Sequence, residues 1–494
     1  MKRILVCGLC PLPFENTRQS FGPGIRTWQL ARGLALAGFD VHLVAMKIPG
    51  AFAGTDALSE ETRDDVRIER LDDSEFFTAA EIRRRIDELR PDAVVGATVY
   101  GSFVLADAGP QAPFWADQFG HFMAEAQAKA RLESANWPLG RFWGYLEPVL
   151  RTADKISVVS ERQRFAAIGE LGLVGRLTAE TCGYELTAVV PCAMVPASDV
   201  PLRPLLRGRE VPDEAFVVLW SGGYNVWSDV DTLWRGLELA MDRDSRVQFV
   251  STGGQIDRHD ERTYQRFERL VAGSRHAERC HLQGWVEAEL VPSYQAEADL
   301  GVLAELPIYE GLLGSKNRII QWLGSGLPVA YNRHGDLGEL LAAKGLGLVF
   351  EIGDAAGLGE RILWAASHRD DLRRLAADAR DYAQQELSFA ATTRPLVEWA
   401  RDPVPAPDAA LRPTISSPAD FGPPKSPKPN PLAEKLAEAE RYADSLAVEL
   451  RRSRSELGAI YRSRTWRLWM AYVALRRRIL RPFLRTERPA GGAQ

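Results

Sequence analysis

Short apolar runs alternate with helical patterns along the first 195 residues of the chain. Runs of this length are typical of buried parallel strands, and the segments between them have the 3.6-residue period of helices. This alternation predicts a doubly wound α/β sheet. The predicted strands are residues 4–6, 41–44, 93–95 and 156–159, and the predicted helices include residues 24–37 and 79–89.

The same alternation restarts after a polar, proline-containing stretch at residues 191–212. We therefore expect a second α/β unit, so that residues 1–195 and 196–400 form two Rossmann-like lobes facing a cleft. Open α/β sheets bind ligands at the carboxyl ends of their strands, and two facing lobes suit group transfer. The second set of predicted strands is residues 217–221, 247–251, 300–303 and 329–331, with helices at 229–241, 287–296 and 354–367.

The C-terminal part of the chain has a different character. Residues 401–431 contain ten prolines and predict a stiffened, solvated linker. Residues 432–494 begin with a long helical pattern whose heptad seam is about three heptads long. Two interpretations stay open for residues 436–460: self-association or partner docking, and a solitary amphipathic helix packed on its own body. The seam consists of Ala439, Ala443, Leu446, Leu450, Ser453, Leu457 and Ile460.

Charge is unevenly distributed along the chain. The net charge is −5, which gives no reason to expect nucleic-acid binding, yet residues 460–494 hold nine arginines and one acidic residue, Glu487. Aromatic rings among these arginines favour contact of residues 460–485 with an anionic membrane surface, and a basic helix docked on the acidic body is the alternative. No apolar run reaches the length of about 18 residues that spans a bilayer. We expect a cytoplasmic protein, peripheral on the inner face of the membrane if the tail binds lipid.

Five cysteines with no framework spacing fit a reducing compartment. Cys7 and Cys10 form a C-x-x-C pair, which is read either as a redox or zinc element or as the end of a buried strand. The second interpretation is favoured, because no further cysteine pair or nearby histidine cluster completes a metal site.

Two glycine-rich loops follow predicted strands and precede helices. Gly22 and Gly24 allow close approach of the backbone to a ligand, the helix that follows offers free N–H groups to an anion, and Arg26 adds a charge. An ordinary Gly/Pro loop is the alternative for this segment. Gly222 and Gly223 form a similar phosphate cradle in the second lobe. Three aromatic residues beside this second loop favour either ligand stacking or core packing, namely Trp220, Tyr224 and Trp227.

Residues 305–329 carry the densest group of candidate residues. Glu310 offers a carboxylate to sugar hydroxyls, while Lys316 and Arg318 near a helix start can neutralise a diphosphate as it becomes a leaving group. Gln321, one turn into the helix, is placed to reach a ribose. We therefore expect this segment to bind a nucleotide-diphosphate sugar.

Several of these motifs together resemble glycosyltransferase family 4, the retaining enzymes of the GT-B fold. The resemblance spans about residues 1–400 and implies a glycosyltransferase. It rests on the Gly22-Pro23-Gly24 loop with the segment 30–41, on residues 153–164, on Gly284-Trp285-Val286 with Ala298-Asp299, and on residues 324–329. A subgroup with a Trp-x-Gly-Gly loop and an element like Lys316-Asn317-Arg318 is the most similar.

The chain also departs from the family pattern. The second of two acidic residues falls on Gln321, eleven positions after Glu310, and the basic pair of the strand-to-helix loop falls on Gly223 and Ser228. The resemblance thus implies that Lys316 and Arg318 replace the lost cations, with help from Arg26.

A histidine common in the family on the acceptor side falls near Asp117, so Asp117 or His121 is expected to contact the transferred sugar or the acceptor. A surface position at a helix start is the alternative for His121.

The implied reaction is departure of a nucleoside diphosphate with attack of an acceptor hydroxyl from the same face. The protein positions the reactants and stabilises the leaving group, with no cofactor and no obligate metal ion. The glycan or lipid-linked acceptor is expected to belong to cell-envelope or surface polysaccharide biosynthesis. The alternatives are a nucleotide-sugar epimerase or hydrolase on the same fold, and a non-catalytic scaffold of a polysaccharide-assembly complex.

Overall fold

The protein, described from a computed structural model, consists of two compact units, residues 1–421 and 422–494. The structure describes residues 1–15, 17, 21–52, 59–196, 200–256, 259–412, 417 and 431–480. The larger unit contains two separate sheets, and we call the regions built on them the N-lobe and the C-lobe. This arrangement confirms the expected α/β fold with two doubly wound sheets.

The N-lobe has an eight-stranded sheet with an apolar core on each face. Its strands are β1 (Arg3–Cys10), β2 (Asp40–Lys47), β3 (Glu60–Arg63), β4 (Val66–Leu71), β5 (Ala93–Gly96), β6 (Phe114–Gln118), β7 (Lys155–Val158) and β8 (Thr187–Val189), in the order β3-β4-β2-β1-β5-β6-β7-β8. Only the β3–β4 pair is antiparallel. Its helices are α1 (Gly22–Leu36), α2 (Asp73–Phe76), α3 (Ala79–Leu89), α4 (Thr98–Ala108), α5 (Phe122–Glu133), α6 (Trp137–Thr152) and α7 (Glu161–Leu173).

The C-lobe has a six-stranded, wholly parallel sheet. Its strands are β9 (Phe216–Ser221), β10 (Val247–Thr252), β11 (Cys280–Leu282), β12 (Leu300–Leu303), β13 (Val329–Asn332) and β14 (Leu348–Phe350), in the order β11-β10-β9-β12-β13-β14. Its helices are α8 (Val230–Arg243), α9 (Arg262–Ala272), α10 (Val291–Glu297), α11 (Tyr309–Leu313), α12 (Asn317–Ser325), α13 (Gly335–Lys344) and α14 (Ala355–Ser367). The predicted boundary at 195–196 falls between the last strand of the first sheet and the first strand of the second, and the boundary itself stays a prediction.

The chain returns to the N-lobe after the second sheet. Helix α15 (Arg369–Glu386) is followed by α16 (Phe389–Thr392) and α17 (Arg394–Arg401), which pack against α1. Phe389 and Leu396 share the core that contains Leu30 and Leu34. The two lobes are therefore joined twice.

The predicted linker at 401–431 begins later than the proline pattern indicated. Ala406 is 2% exposed and Asp408 is 1% exposed, because Asp408 forms a buried ion pair with Arg176 of the N-lobe. Arg412 also bonds the carboxylate of Asp154 at 2.6 Å. Most of the remaining linker, and residues 481–494 of the basic tail, lie outside the described residues.

Each sheet has a switch point, where the chain leaves the middle of the sheet in one direction and later returns to build the other side. In the N-lobe this point lies between β1 and β5, and in the C-lobe between β9 and β12. Crevices at the carboxyl ends of such strand pairs are the preferred ligand sites of open α/β sheets. The loops that follow these four strands therefore position the candidate site.

Two sequence expectations, one on the cysteines and one on membrane-spanning segments, can be compared with this fold. Cys7 and Cys10 lie in β1 and are fully buried, which confirms the buried-strand interpretation of the C-x-x-C pair. Among the helices that the structure describes, none combines the length and the apolar character that a bilayer crossing requires.

The smaller unit contains two helices, α18 (Pro431–Arg462) and α19 (Arg464–Leu480). Leu446, Leu450, Leu457 and Ile460 of the predicted seam are each about half exposed. The predicted self-association through residues 436–460 stays a prediction.

Candidate functional site

Two helix starts from opposite lobes meet at the candidate site. Gly22 is the first residue of α1 and Asn317 is the first residue of α12, and a Cβ atom on Gly22 would lie 3.1 Å from the side-chain nitrogen of Asn317. Neither helix start has a side-chain cap. Backbone N–H groups without intrahelical partners and the positive ends of two helix dipoles therefore lie close together where the lobes meet, which favours an anion. We call this meeting point the crevice.

Arg318 lies beside these helix starts, at the C-lobe switch point. Its Nη2 donates a hydrogen bond of 2.6 Å to the carbonyl oxygen of Gly223, and its guanidinium lies 4.4 Å from the ring centre of Trp220. Nη1 is buried and has no hydrogen-bond partner among the described residues. Burial lowers the pKa of Arg318 to about 10, so the group keeps its charge at neutral pH. A fixed cation with an unused donor is suited to bind a phosphate oxygen.

The Gly222–Gly223 loop has a backbone that requires glycine. Gly222 has φ +98°, and a Cβ atom there would lie 3.0 Å from Arg318 Nη2. At Gly223 a Cβ atom would lie 2.5 Å from the side chain of Ile256. The loop therefore lets Arg318 approach the backbone closely.

The aromatic residues near this loop divide into two groups. Trp220 and Tyr224 are fully buried and stack on each other with ring centres 4.5 Å apart, so they belong to the core. Trp227 is partly exposed and lies 5.3 Å from Lys316 Nζ. Of these three residues, only Trp227 lies outside the core.

Lys316 is held between two carboxylates. Its Nζ lies 2.7 Å from Glu310 Oε2 and 3.0 Å from Glu305 Oε1, and its side chain is 8% exposed. Burial alone would lower the pKa of Lys316, but Glu305 and Glu310 outweigh burial and raise it. The Lys316 charge that was predicted to bind a diphosphate is thus already paired with two carboxylates. Arg318, by contrast, keeps a donor without a partner among the described residues.

Glu305 was not singled out from the sequence, yet it organises this cluster. Tyr331 donates a hydrogen bond of 2.7 Å to Glu305 Oε2, and the Asn332 side chain bonds both the N–H and the carbonyl oxygen of Glu305. Burial raises the pKa of Glu310 to about 7, against the opposing effect of Lys316. Two features of the sequence could have indicated Glu305. It follows closely after the apolar strand β12, and the neighbouring strand β13 ends in the polar residue Asn332.

Arg26 and Asp117 form an ion pair in the interior of the N-lobe. Two hydrogen bonds of 3.0 and 2.6 Å join them, and both side chains are 0% exposed. Asp117 also accepts hydrogen bonds from the N–H of Thr98 and the hydroxyl of Ser157. Because their polar atoms are used internally, neither side chain reaches the crevice in this structure. The pair ties strand β6 to helix α1.

His121 caps helix α5. Its Nδ1 accepts a hydrogen bond of 3.1 Å from the N–H of Ala124, and its Nε2 lies 3.2 Å from Glu170 Oε1. Burial lowers the pKa of His121 and raises the pKa of Glu170 to about 7. His121 is therefore a mostly buried capping residue with both ring nitrogens engaged, and no contact joins it to the two helix starts among the described residues.

Gln321 and Gly24 lie apart from the crevice. The Gln321 amide accepts a hydrogen bond of 2.8 Å from Val195 N–H and donates one of 3.0 Å to the Ala193 carbonyl oxygen, so it holds the segment between the lobes. A Cβ atom on Gly24 would lie 1.8 Å from the carbonyl oxygen of Pro11, so this glycine serves close packing. Neither is free to contact a ligand in this conformation.

The lobes also contact each other at the rim of the crevice. Ser160 of the N-lobe donates a hydrogen bond of 2.6 Å to the carbonyl oxygen of Leu313, and Arg162 forms an ion pair of 3.3 Å with Asp336. Within the described residues, no three His, Cys, Asp or Glu side chains converge to hold a metal ion.

Comparisons with known proteins agree with this architecture. Residues 22–178 match the family model described as Glycosyltransferase Family 4, and residues 215–368 match the model described as Glycosyl transferases group 1. No curated protein matches the chain by sequence.

Solved structures with the GT-B fold are similar over most of the chain. Sucrose-phosphate synthase from Thermosynechococcus elongatus has a TM-score of 0.62 at 17% identity, covering 81% of this chain and 98% of its own. Anabaena HepE in complex with UDP-glucose has a TM-score of 0.56 at 15% identity, covering 81% and 99%. An α,α-trehalose-phosphate synthase (UDP-forming) from Burkholderia vietnamiensis has a TM-score of 0.56 at 12% identity, covering 81% and 98%. With one family model on each lobe, the chain belongs to the family 4-like glycosyltransferases of the GT-B fold.

Proposed function

We propose that the protein transfers a sugar from a nucleoside-diphosphate sugar to an acceptor hydroxyl with retention of configuration and without an obligate metal ion. The observation that carries this proposal is the meeting of two uncapped helix starts, at Gly22 and Asn317, beside the unpartnered Nη1 of Arg318. Positive charge fixed in advance at a water-poor site stabilises a diphosphate as it leaves.

The two cations have different roles in this proposal. Arg318 donates to a phosphate oxygen directly, because one of its nitrogens is unused. Lys316 keeps the carboxylates of Glu305 and Glu310 in place, and Glu310 then accepts hydrogen bonds from the transferred sugar. A backbone bridge joins Ser228, where the family usually carries a cation, to Glu305, and Glu305 in turn pairs with Lys316.

A uridine nucleotide is the first donor to examine, because HepE is described in complex with UDP-glucose. Retention follows the family resemblance, with the acceptor attacking from the face that the diphosphate leaves. Independence from metal ions follows from the positive charge that Arg318 and the two helix starts already supply.

A thermal-shift panel of nucleoside diphosphates with EDTA present tests the donor half. A ligand at 100 times its Kd stabilises by about 2.7 kcal/mol, which raises the Tm of a lobe of this size by roughly 5–10 °C. Failure of every nucleoside diphosphate to raise Tm would support the scaffold alternative. Donor consumption with and without added acceptors separates a transferase from a hydrolase or epimerase, because only a transferase depends on the acceptor.

For the smaller unit we propose contact with an anionic membrane surface, consistent with a lipid-linked or cell-envelope acceptor. Helix α19 contains five arginines and no acidic residue, and exposes apolar side chains along its length. These side chains are Leu468, Trp469, Met470, Tyr472 and Leu475, at 48–72% exposed. Arginine and interfacial aromatic rings suit the headgroup region of anionic lipids.

Liposome flotation tests the membrane proposal. Replacing Arg476, Arg477 and Arg478 by glutamine should reduce flotation with vesicles rich in phosphatidylserine. Each arginine near the surface contributes about 1 kcal/mol to the binding free energy, and that contribution is lost with its charge. The matched control replaces Arg451, Arg452 and Arg454 of α18. Equal flotation of both triple variants and the unaltered protein would contradict this placement of the contact.

A further inference from the structure

A groove separate from the helix starts runs along helix α5. It has a volume of about 670 Å³ and lies between α5, the start of α6 and α11; we call it the α5 groove. Volumes of about 300–1,000 Å³ are usual for small-molecule sites. The side chains that carry the argument are His121, Met123, Arg131, Leu139, Tyr309 and Leu313.

One end of the α5 groove adjoins the proposed donor site. Tyr309 lines the groove and is 60% exposed, while the next residue, Glu310, bonds Lys316. Leu313, at the other end of the same short helix, receives the hydrogen bond from Ser160 of the N-lobe. An exposed aromatic ring next to a sugar-binding carboxylate offers a flat apolar face to a second sugar ring.

The lining combines apolar side chains with one cation. Arg131, in the last turn of α5, lies ten positions after His121, the N-cap of the same helix, which corresponds to about 15 Å at 1.5 Å per residue. Met123 and Leu139 are among the apolar lining residues. Arg131 is the one charged side chain of the lining, and no carboxylate lies among these residues, all of which the structure describes.

Arg131 also lacks an electrostatic partner. It is exposed, and it forms no ion pair with the residues that the structure describes. By contrast Lys129, two residues earlier, lies 3.2 Å from Glu125. An unpaired arginine at the end of an apolar groove suits a phosphate or carboxylate group.

We propose that the α5 groove binds the acceptor, and that this acceptor is amphipathic and anionic. Its hydroxyl-bearing sugar end lies at Tyr309, its apolar portion lies against Met123 and Leu139, and its anionic group bonds Arg131. This inference rests on the proposed glycosyltransferase function and adds the chemical class of the acceptor.

Binding of octyl phosphate to the full chain, measured by calorimetry below the critical micelle concentration, tests the proposal. Octyl phosphate carries the apolar and anionic parts without a sugar. We expect it to bind at least about tenfold more tightly than inorganic phosphate or octyltrimethylammonium, as one charge-assisted contact plus apolar burial predicts. Arg131→Gln should weaken binding by about tenfold, and Ala135→Trp, which places a large ring in the groove, should weaken it further.

Arg141→Gln is the matched control, because Arg141 is exposed on α6 and does not line the groove. It should leave octyl phosphate binding unchanged. Unchanged binding in both Arg131→Gln and Ala135→Trp, or equal binding of the cationic octyl probe, overturns the proposal. UDP binding by the unaltered protein is measured in parallel, so a failure of the donor proposal is seen separately from a failure at the groove.

Discussion

Replacing Lys316 by methionine removes the cation that lies between two buried carboxylates. Its Nζ lies 3.0 Å from Glu305 and 2.7 Å from Glu310, whose side chains are 0% and 14% exposed. Removing one partner of a buried ion pair costs about 3–5 kcal/mol, because the charge left behind has no compensation. For a lobe of this size, each kcal/mol lost from the free energy of unfolding lowers Tm by about 2–4 °C. The variant should therefore melt roughly 10 °C lower than the unaltered protein.

The loss in the Lys316→Met variant should depend on pH. Burial raises the pKa of Glu310 to about 7, above the value of about 4.3 in an unfolded chain, so this group makes the folded state less stable as pH rises between those values. Without Lys316 the pKa of Glu310 rises further, and the destabilisation continues to higher pH. The Tm difference between the variant and the unaltered protein should therefore be small at pH 5.5 and largest at pH 8–9.

Differential scanning calorimetry across this pH range measures the effect. Lys344→Met, at an exposed position on α13, is the matched control and should change Tm little. The double variant Lys316→Met with Glu305→Gln should recover part of the lost Tm, because one buried charge is removed. A Tm difference that is constant from pH 5.5 to 9, or a double variant no more stable than the single one, would refute this account of the cluster.

Three further predictions concern the ion pair, the lobe contact and the thiols. Asp117→Asn should lower Tm by roughly 6–20 °C by leaving Arg26 buried without its charged partner, and the double variant with Arg26→Met should recover part of the loss in the same melting assay. Gly22→Val places a branched side chain against Asn317 and should weaken nucleoside diphosphate binding at least about tenfold, whereas Gly140→Ala, with open space around it, should not. Exposed Cys182 should react with Ellman's reagent in the native protein, whereas the buried thiols should react only after denaturation. Equal reaction rates before and after denaturation would contradict the described burial.

The sequence predicted the fold well because the fold depends on local patterns. Eight of the strands were predicted from apolar runs, whereas the order of the strands in each sheet, and with it the switch points, comes from the structure. Strand β6 was missed because Asp117 and Gln118 interrupt its apolar run, although both side chains are buried in the structure. A buried strand that carries an ion pair has no purely apolar signature.

The candidate site was less predictable, because its contacts join residues far apart in sequence. Gln321 was expected to reach a ribose, but its partners are Val195 and Ala193, which are more than 120 residues away. Arg26 was expected at the diphosphate, but it pairs with Asp117, 91 residues away. Sequence alone identified the charged groups apart from Glu305, whereas only the structure shows which charges are already neutralised and which keep a free donor.

Calorimetric titration of a nucleoside diphosphate into the unaltered protein and into Arg318→Gln tests the central claim most directly. Loss of one charge-assisted contact of about 1.5–3 kcal/mol predicts a Kd about 10–100-fold higher for Arg318→Gln. Arg374→Gln, at a position 75% exposed on α15, should bind like the unaltered protein. Equal Kd values for all three proteins would contradict the claim that the unpartnered donor of Arg318 binds the diphosphate between the two helix starts.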